Sequence, residues 1–251
     1  MGRRLVRVFR MDPMTALTEA IQLGIITGLQ KEAACLRAGG RRARGNLAKA
    51  PMVFAAAGQA TIAAEAARRM LDEGASGLLS FGIAGGLDPS LGPGVVVVAT
   101  QVVRPDGKAI DCHEPWIARL LEAGAGFDSG PILGSDDAVM TTARKAALYR
   151  DFGCLAVDME SHAVATVAKK AGVPFIALRA VGDPANRAIP PAALAGLAPD
   201  GRTRALPVLA ALMQRPKDAA ALIRLARDTN TALASLRRVA GMGLIGMLAE
   251  G

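Results

Sequence analysis

Met52–Gly86 reads MVFAAAGQATIAAEAARRMLDEGASGLLSFGIAGG, and the fold is decided there. Met52–Ala57 is an apolar run of strand length. Thr61–Leu71 sets Ala, Ile and Met on one side and Glu65, Arg68 and Arg69 on the other, which predicts an amphipathic helix. Gly77–Phe81 is a second apolar run, and Gly82–Gly86 follows as a glycine-rich loop at its carboxyl end. Strand, helix, strand and glycine loop make a βαβ unit, hence an α/β protein. In open α/β sheets ligands sit at the carboxyl ends of strands.

The pattern extends both ways. Leu23–Thr27 (LGIIT) predicts a buried strand ending in Gly28, then a helix over Gln30–Leu36 and an exposed Gly- and Arg-rich loop over 39–50. Downstream, Val95–Val103 is β-branched enough for a central strand, and Ala143–Phe152 reads as helix. Leu155–Val157 is a short strand running into a helix from Asp158 to Lys170. Pro174–Val181 is a last strand, ending at Gly182-Asp183-Pro184. Residues 184–216 read as a loop with short helices, and Asp218–Val239 as a long helix. Without repeats or a clear linker, one domain over 23–240 is expected, with an N-terminal extension (1–22) and an apolar tail (241–251).

Composition narrows the function classes. The 251 residues are 51% hydrophobic but only 3% aromatic, with a net charge of +8 and a pI near 10.0. Much of the positive charge lies in Arg3, Arg4, Arg7 and Arg10 and in Arg37, Arg41, Arg42, Arg44 and Lys49, read as solvated faces. One Trp and one Tyr leave little to stack unpaired bases, and no nucleic-acid-binding motif is present, so no nucleic-acid partner is expected. Cys35, Cys112 and Cys154 are odd in number and lack CxxC spacing, which argues against disulfides and structural zinc and for a reducing cytoplasm. His113 between Cys112 and Glu114 lacks a second ligand cluster, so no metal is expected. His162 reads as a helix-face histidine. The basic N-terminus is no convincing signal peptide, and Met11 or Met14 is an alternative start. No apolar run reaches the ~18 residues of a spanning helix.

Three acids fall at predicted carboxyl ends of strands: Glu32, Glu160 and Asp183. Singly, each has a plain reading as a first-turn or turn-initiating acid. Together they match the needs of cleaving a C–N bond to a purine. One acid protonates the base at N7, one acceptor holds the ribose hydroxyls, and one base orients water on the opposite face. The logic is that of two-carboxylate glycoside hydrolysis.

Four segments carry a family resemblance: LGIITGLQKEAACL (Leu23–Leu36), FGIAGG (Phe81–Gly86), VDMESHA (Val157–Ala163) and RAVGDPAN (Arg179–Asn186). The chain resembles the purine nucleoside and uridine phosphorylase superfamily, close to methylthioadenosine/S-adenosylhomocysteine nucleosidase. Within it, the chain looks most like the hopanoid-associated phosphorylases, proposed to remove adenine from adenosylhopane. The resemblance implies a three-layer α/β/α sandwich with a central mixed sheet, a homodimer, and no cofactor beyond inorganic phosphate as a candidate co-substrate. It implies Asp183 as general acid, Glu32 as the group that positions water, Glu160 as acceptor for the ribose hydroxyls, and Met159 beneath the sugar. Ile83, Ala84 and Gly85 would line the sugar or nucleophile site, and Val139 and Met140 would clamp the base. Arg179 would orient the acids or bind an anion.

The departures point to an apolar substrate. Ile83 stands where the family commonly has Ser or Thr, Gly182 where it has Ser, Asn186 where it has Asp, and Val139 where it has an aromatic. Water and phosphate compete as nucleophile: Glu32 would repel phosphate, whereas Lys31 and Arg179 would attract it. A nucleoside-binding protein without catalysis, or a nucleosidase for soluble methylthioadenosine or S-adenosylhomocysteine, are the alternatives. Arg237 and Arg238 precede the tail, which suggests peripheral membrane contact and a lipid-linked nucleoside as partner; packing on the domain or across a dimer interface is the competing reading.

Overall fold

The computed structural model describes residues 20–38, 50–124, 126–196, 198, 201–202 and 204–249. The N-terminal arginine run, the arginines and lysine of 41–49 and both alternative starts lie outside them.

The predicted core strands form, and one mixed eight-stranded sheet contains them all. Strand β1 is Leu23–Thr27, followed by helix α1 (Gln30–Ala38), β2 (Met52–Ala55), α2 (Ala60–Asp72) and β3 (Gly77–Gly86). β1 lies between β2 and β3, parallel to both. The chain thus crosses one way through α1 and back through α2. Right-handed crossovers then put the two helices on opposite faces of the sheet. On one face α2 packs against α5 (Ser161–Ala171), and on the other α1 packs against α8 (Ala219–Gly241). These are the three layers the resemblance implies.

The glycine loop expected at 82–86 does not exist. β3 runs straight through it to Gly86. Its partner β8 (Phe175–Asp183) accompanies it from Leu78 to Gly85, with a register shift between Ala84 and Gly85. On its other edge β3 gives residues 77–80 to β1 and Gly85–Gly86 to β7 (Ala156–Asp158). β4 (Val96–Val103) joins β8, and β6 (Asp128–Gly134) joins β4 to β7. The pairing β3–β8–β4–β6–β7–β3 therefore closes on itself.

No element is predicted from the sequence over 104–141, yet it holds β5 (Ala109–Asp111), α3 (Glu114–Ala123) and β6. The signal of α3 is Trp116 and Leu120, four apart and buried on one face. α4 is Thr142–Phe152; the Thr141 hydroxyl caps it by accepting from the Arg144 N–H, and Gly153 (φ 63°) ends it in the left-handed conformation. The helix expected from Asp158 starts at Ser161 instead. The described residues of 184–216 include the short helices α6 (Pro191–Leu194) and α7 (Ala205–Gln214).

The apolar tail packs on the domain. Val239, Ala240, Ile245, Leu248 and Ala249 are buried around the end of α8 and the short helix α9 (Leu244–Met247). The Ala249 carbonyl accepts from the Ile21 N–H, and Arg119 donates to the Met247 carbonyl. Its buried apolar side chains are therefore not available to a bilayer, while Met242 and Met247 remain exposed. No helix among the described residues is long and apolar enough to cross a membrane.

Candidate active site

β8 is buried along its whole length and carries two of the candidate side chains, Arg179 and Asp183. The register shift against β3 leaves Gly182 as an extra residue between them, so Arg179 pairs opposite Gly82 and Asp183 opposite Gly85. Glu32 comes from the first turn of α1, and Glu160 from the residue before α5. All three predicted acids reach one cavity of about 170 Å³. Glu32, Ile83, Ala84 and Gly85 form part of its wall; Val139, Met159, Glu160 and Asp183 form another part. Two expected residues do not line it. Met140 acts through its backbone carbonyl, which accepts from the N–H of the lining residue Ile189. Arg179 is 1% exposed and sits behind the acids.

Glu32 serves two purposes at once. It occupies the third helical position of α1, and its Oε2 accepts from the N–H groups of Gly28 and Leu29, both at 2.8 Å. That reach back is half of a capping box. Its Oε1 accepts from the Ile83 N–H at 3.0 Å, tying α1 to the middle of β3. Burial pushes the Glu32 carboxyl up, opposed by Arg179 and by these three backbone donors.

Arg179 organises the rest. Its Nε meets Asp158 at 2.5 Å, and its Nη2 donates to the Ser80 and Ser161 hydroxyls. Asp158 in turn accepts from the Ser161 N–H and hydroxyl. Glu160 is left further off, with 3.6 Å to Arg179 Nη2. Burial, with the negative charges of Asp158 and Glu32, outweighs that attraction and pushes Glu160 up to about 8. Arg179 is thus buried behind the carboxylates, within ion-pair distance of Asp158 and Glu160.

Two glycines make this convergence fit. A Cβ on Gly82 would lie 2.6 Å from both Arg179 Nη1 and Glu32 Oε2. One on Gly28 would lie 2.6 Å from Glu160 Oε1. Any side chain at either position would push apart the groups that meet there.

Asp183 has a partner that sequence reasoning missed. Lys145, fully buried in the first turn of α4, donates from Nζ to Asp183 Oδ2 at 2.6 Å and to the carbonyls of Asp183, Pro184 and Arg187. Burial pushes the Asp183 carboxyl up and Lys145 pulls it back, with burial the larger effect. Nothing in TARKAALYRDF separates Lys145 from a solvated lysine. Ser80 did leave a signal, a hydroxyl inside the apolar run Leu78–Phe81. Asp137, which also lines the cavity, left none.

The histidines stand apart. His162 Nε2 lies 3.1 Å from Asp136, and His113 packs edge-on against Trp116. Neither lines the cavity. No group of three or more His, Cys, Asp or Glu able to hold a metal occurs among the described residues.

A family model described as the phosphorylase superfamily matches residues 15–215. The chain belongs to the phosphorylase superfamily. It is thereby homologous to nucleosidases and nucleoside phosphorylases, which cleave N-glycosidic bonds. Solved structures agree in fold. S-adenosylhomocysteine nucleosidase from Streptococcus pyogenes, in complex with 5-methylthiotubericidin, superposes with a TM-score of 0.68 at 19% identity, over 93% of this chain and 99% of that one. A 5'-methylthioadenosine/S-adenosylhomocysteine nucleosidase from Neisseria meningitidis gives 0.66 at 20% identity, over 89% and 98%. Futalosine hydrolase of Helicobacter pylori gives 0.63 at 19%, over 92% and 97%. In this superfamily member the three acids come together at the carboxyl end of β8, on the wall shared with β3.

Proposed function

We propose that the protein hydrolyses the N-glycosidic bond of an adenosine-type nucleoside and releases adenine. One observation carries the reading: Asp183, Glu160 and Glu32 converge on a single cavity that no Lys or Arg lines among the described residues. Such a wall offers no cation to hold a phosphate, which favours water as the nucleophile. Asp183 protonates the purine at N7 as the bond to the base breaks. Glu160 meets the ribose hydroxyls, with Met159 beneath the sugar. Glu32, pinned by three backbone N–H groups, orients water toward the anomeric carbon as positive charge builds there.

The 5′ substituent is apolar in this reading, and adenosylhopane is the substrate proposed. Ile83, Ala84, Val139, Val157 and Ile189 on the cavity wall support an apolar group, as does the resemblance to hopanoid-associated phosphorylases. The structural likeness to methylthioadenosine/S-adenosylhomocysteine nucleosidases favours a second reading, a soluble 5′-thio nucleoside. Adenine release from a panel of adenosyl compounds tests both. Adenosylhopane should exceed methylthioadenosine and S-adenosylhomocysteine in kcat/KM, with no requirement for phosphate. Preference for a 5′-thio compound would establish the second reading, and no adenine from any compound would remove both.

A further inference from the structure

Helix α7, Ala205–Gln214, contains no charged residue. It leaves Leu206 79%, Leu209 56% and Met213 81% exposed, spaced along one helix face. Ile223, in the second turn of α8, adds another exposed apolar side chain, at 54%. Single exposed apolar residues are ordinary, but a helix presenting several of them marks an interaction site.

The rim names the partner. Arg202 and Arg204 precede α7, Arg215 and Lys217 follow it, and Arg224 and Arg227 lie on the start of α8, all exposed. Between 202 and 227 the only acid is Asp218. The next, Asp228, is already paired with Arg187 at 3.0 Å. Leucine and methionine tips within a ring of cations match an anionic bilayer, where the tips enter the acyl boundary and the cations meet headgroups. A second copy of this chain would bring the same cations against themselves.

The surface adjoins the active site. The Gly201 carbonyl accepts from the Gln30 N–H at 3.1 Å, and Gly201 lies against Gly28, part of the cavity wall. We infer that α7 docks the protein on an anionic lipid bilayer, holding the cavity's edge toward the lipid. The membrane contact expected of the C-terminal tail is thus assigned to a different element. A nucleoside carried on a lipid would then reach the acids without crossing bulk water; this consequence rests on the proposed function, whereas the docking does not.

Co-sedimentation of the full chain with vesicles tests it, using phosphatidylcholine alone and with about one third phosphatidylglycerol. The parent should bind the anionic vesicles, and less at high salt. Leu209→Glu/Met213→Glu should lose that binding by about tenfold or more, and Arg215→Glu/Lys217→Glu should weaken it. Both variants should release adenine from a soluble adenosine-type nucleoside as the parent does, showing that they fold. No binding by the parent, or equal binding by Leu209→Glu/Met213→Glu, overturns the proposal. A parent dimer that the same variant converts to a monomer also overturns it, assigning the face to a second copy. Vesicle binding by a parent that releases no adenine would leave the docking standing and remove the nucleosidase reading.

Discussion

At Asp183 two influences oppose each other: burial raises its carboxyl and the Lys145 ammonium lowers it. The Lys145 ammonium fixes the carboxylate in one orientation at the cavity wall. Asp183→Asn should cut adenine release by about 10²–10⁴-fold. It should also lower Tm, because a buried ammonium loses its counter-charge. Adding Lys145→Met should restore Tm but not turnover; recovery of both would assign the loss to folding. Glu160 makes a separate prediction. Its folded value near 8 lies far above the ordinary carboxylate range, so the folded state binds a proton that the unfolded state has released. Stability from this group is complete below about pH 4.5 and is lost as pH rises through 8. Glu160→Gln should therefore flatten the decline of Tm between pH 5 and 8, and an unchanged slope would place the titration elsewhere. The three acids stood out in the sequence because each falls just after a predicted strand. Lys145 did not, because its burial depends on α4 packing over the end of β8, a contact the local sequence does not encode.

Among the elements, β3 shows how a run of glycines read as a loop can be a strand. The glycines of 82–86 read as a loop, since glycine usually marks a turn. They are instead a strand that other groups approach closely: Gly82 leaves room for Glu32 and Arg179, and Gly85 lies 3.1 Å, measured from a built Cβ, from Asp183. In the stretch 104–141, β5 is a three-residue edge strand, Ala109–Asp111, too short to show an alternation. The tail shows the reverse ambiguity. An apolar segment of that length suits a bilayer surface or a core, and composition does not choose. Its burial against α3 and Ile21 does. Ending the chain at Ala240 should thus lower Tm by several degrees, by removing Ile245 and Leu248 from the core. An unaltered Tm would show that the tail contributes no packing energy.

For the whole molecule, the closed path of strands β3, β8, β4, β6 and β7 brings together residues that are distant in sequence. Glu32, Gly82 and Asp183 lie on three separate elements, and Glu160 on the turn that leads into α5. The α/β class and the placement of the acids at strand ends followed from sequence pattern. The ring closure did not, because the β3–β7 pairing rests on two residues of each strand. The central claim is that water, not phosphate, attacks the sugar in this acid-lined cavity. Turnover of an adenosine-type substrate in heavy-oxygen water, with phosphate present, reads this directly by mass spectrometry of the sugar product. Hydrolysis at this site places one heavy oxygen on the anomeric carbon whether or not phosphate is added. A pentose 1-phosphate without the heavy label would contradict it.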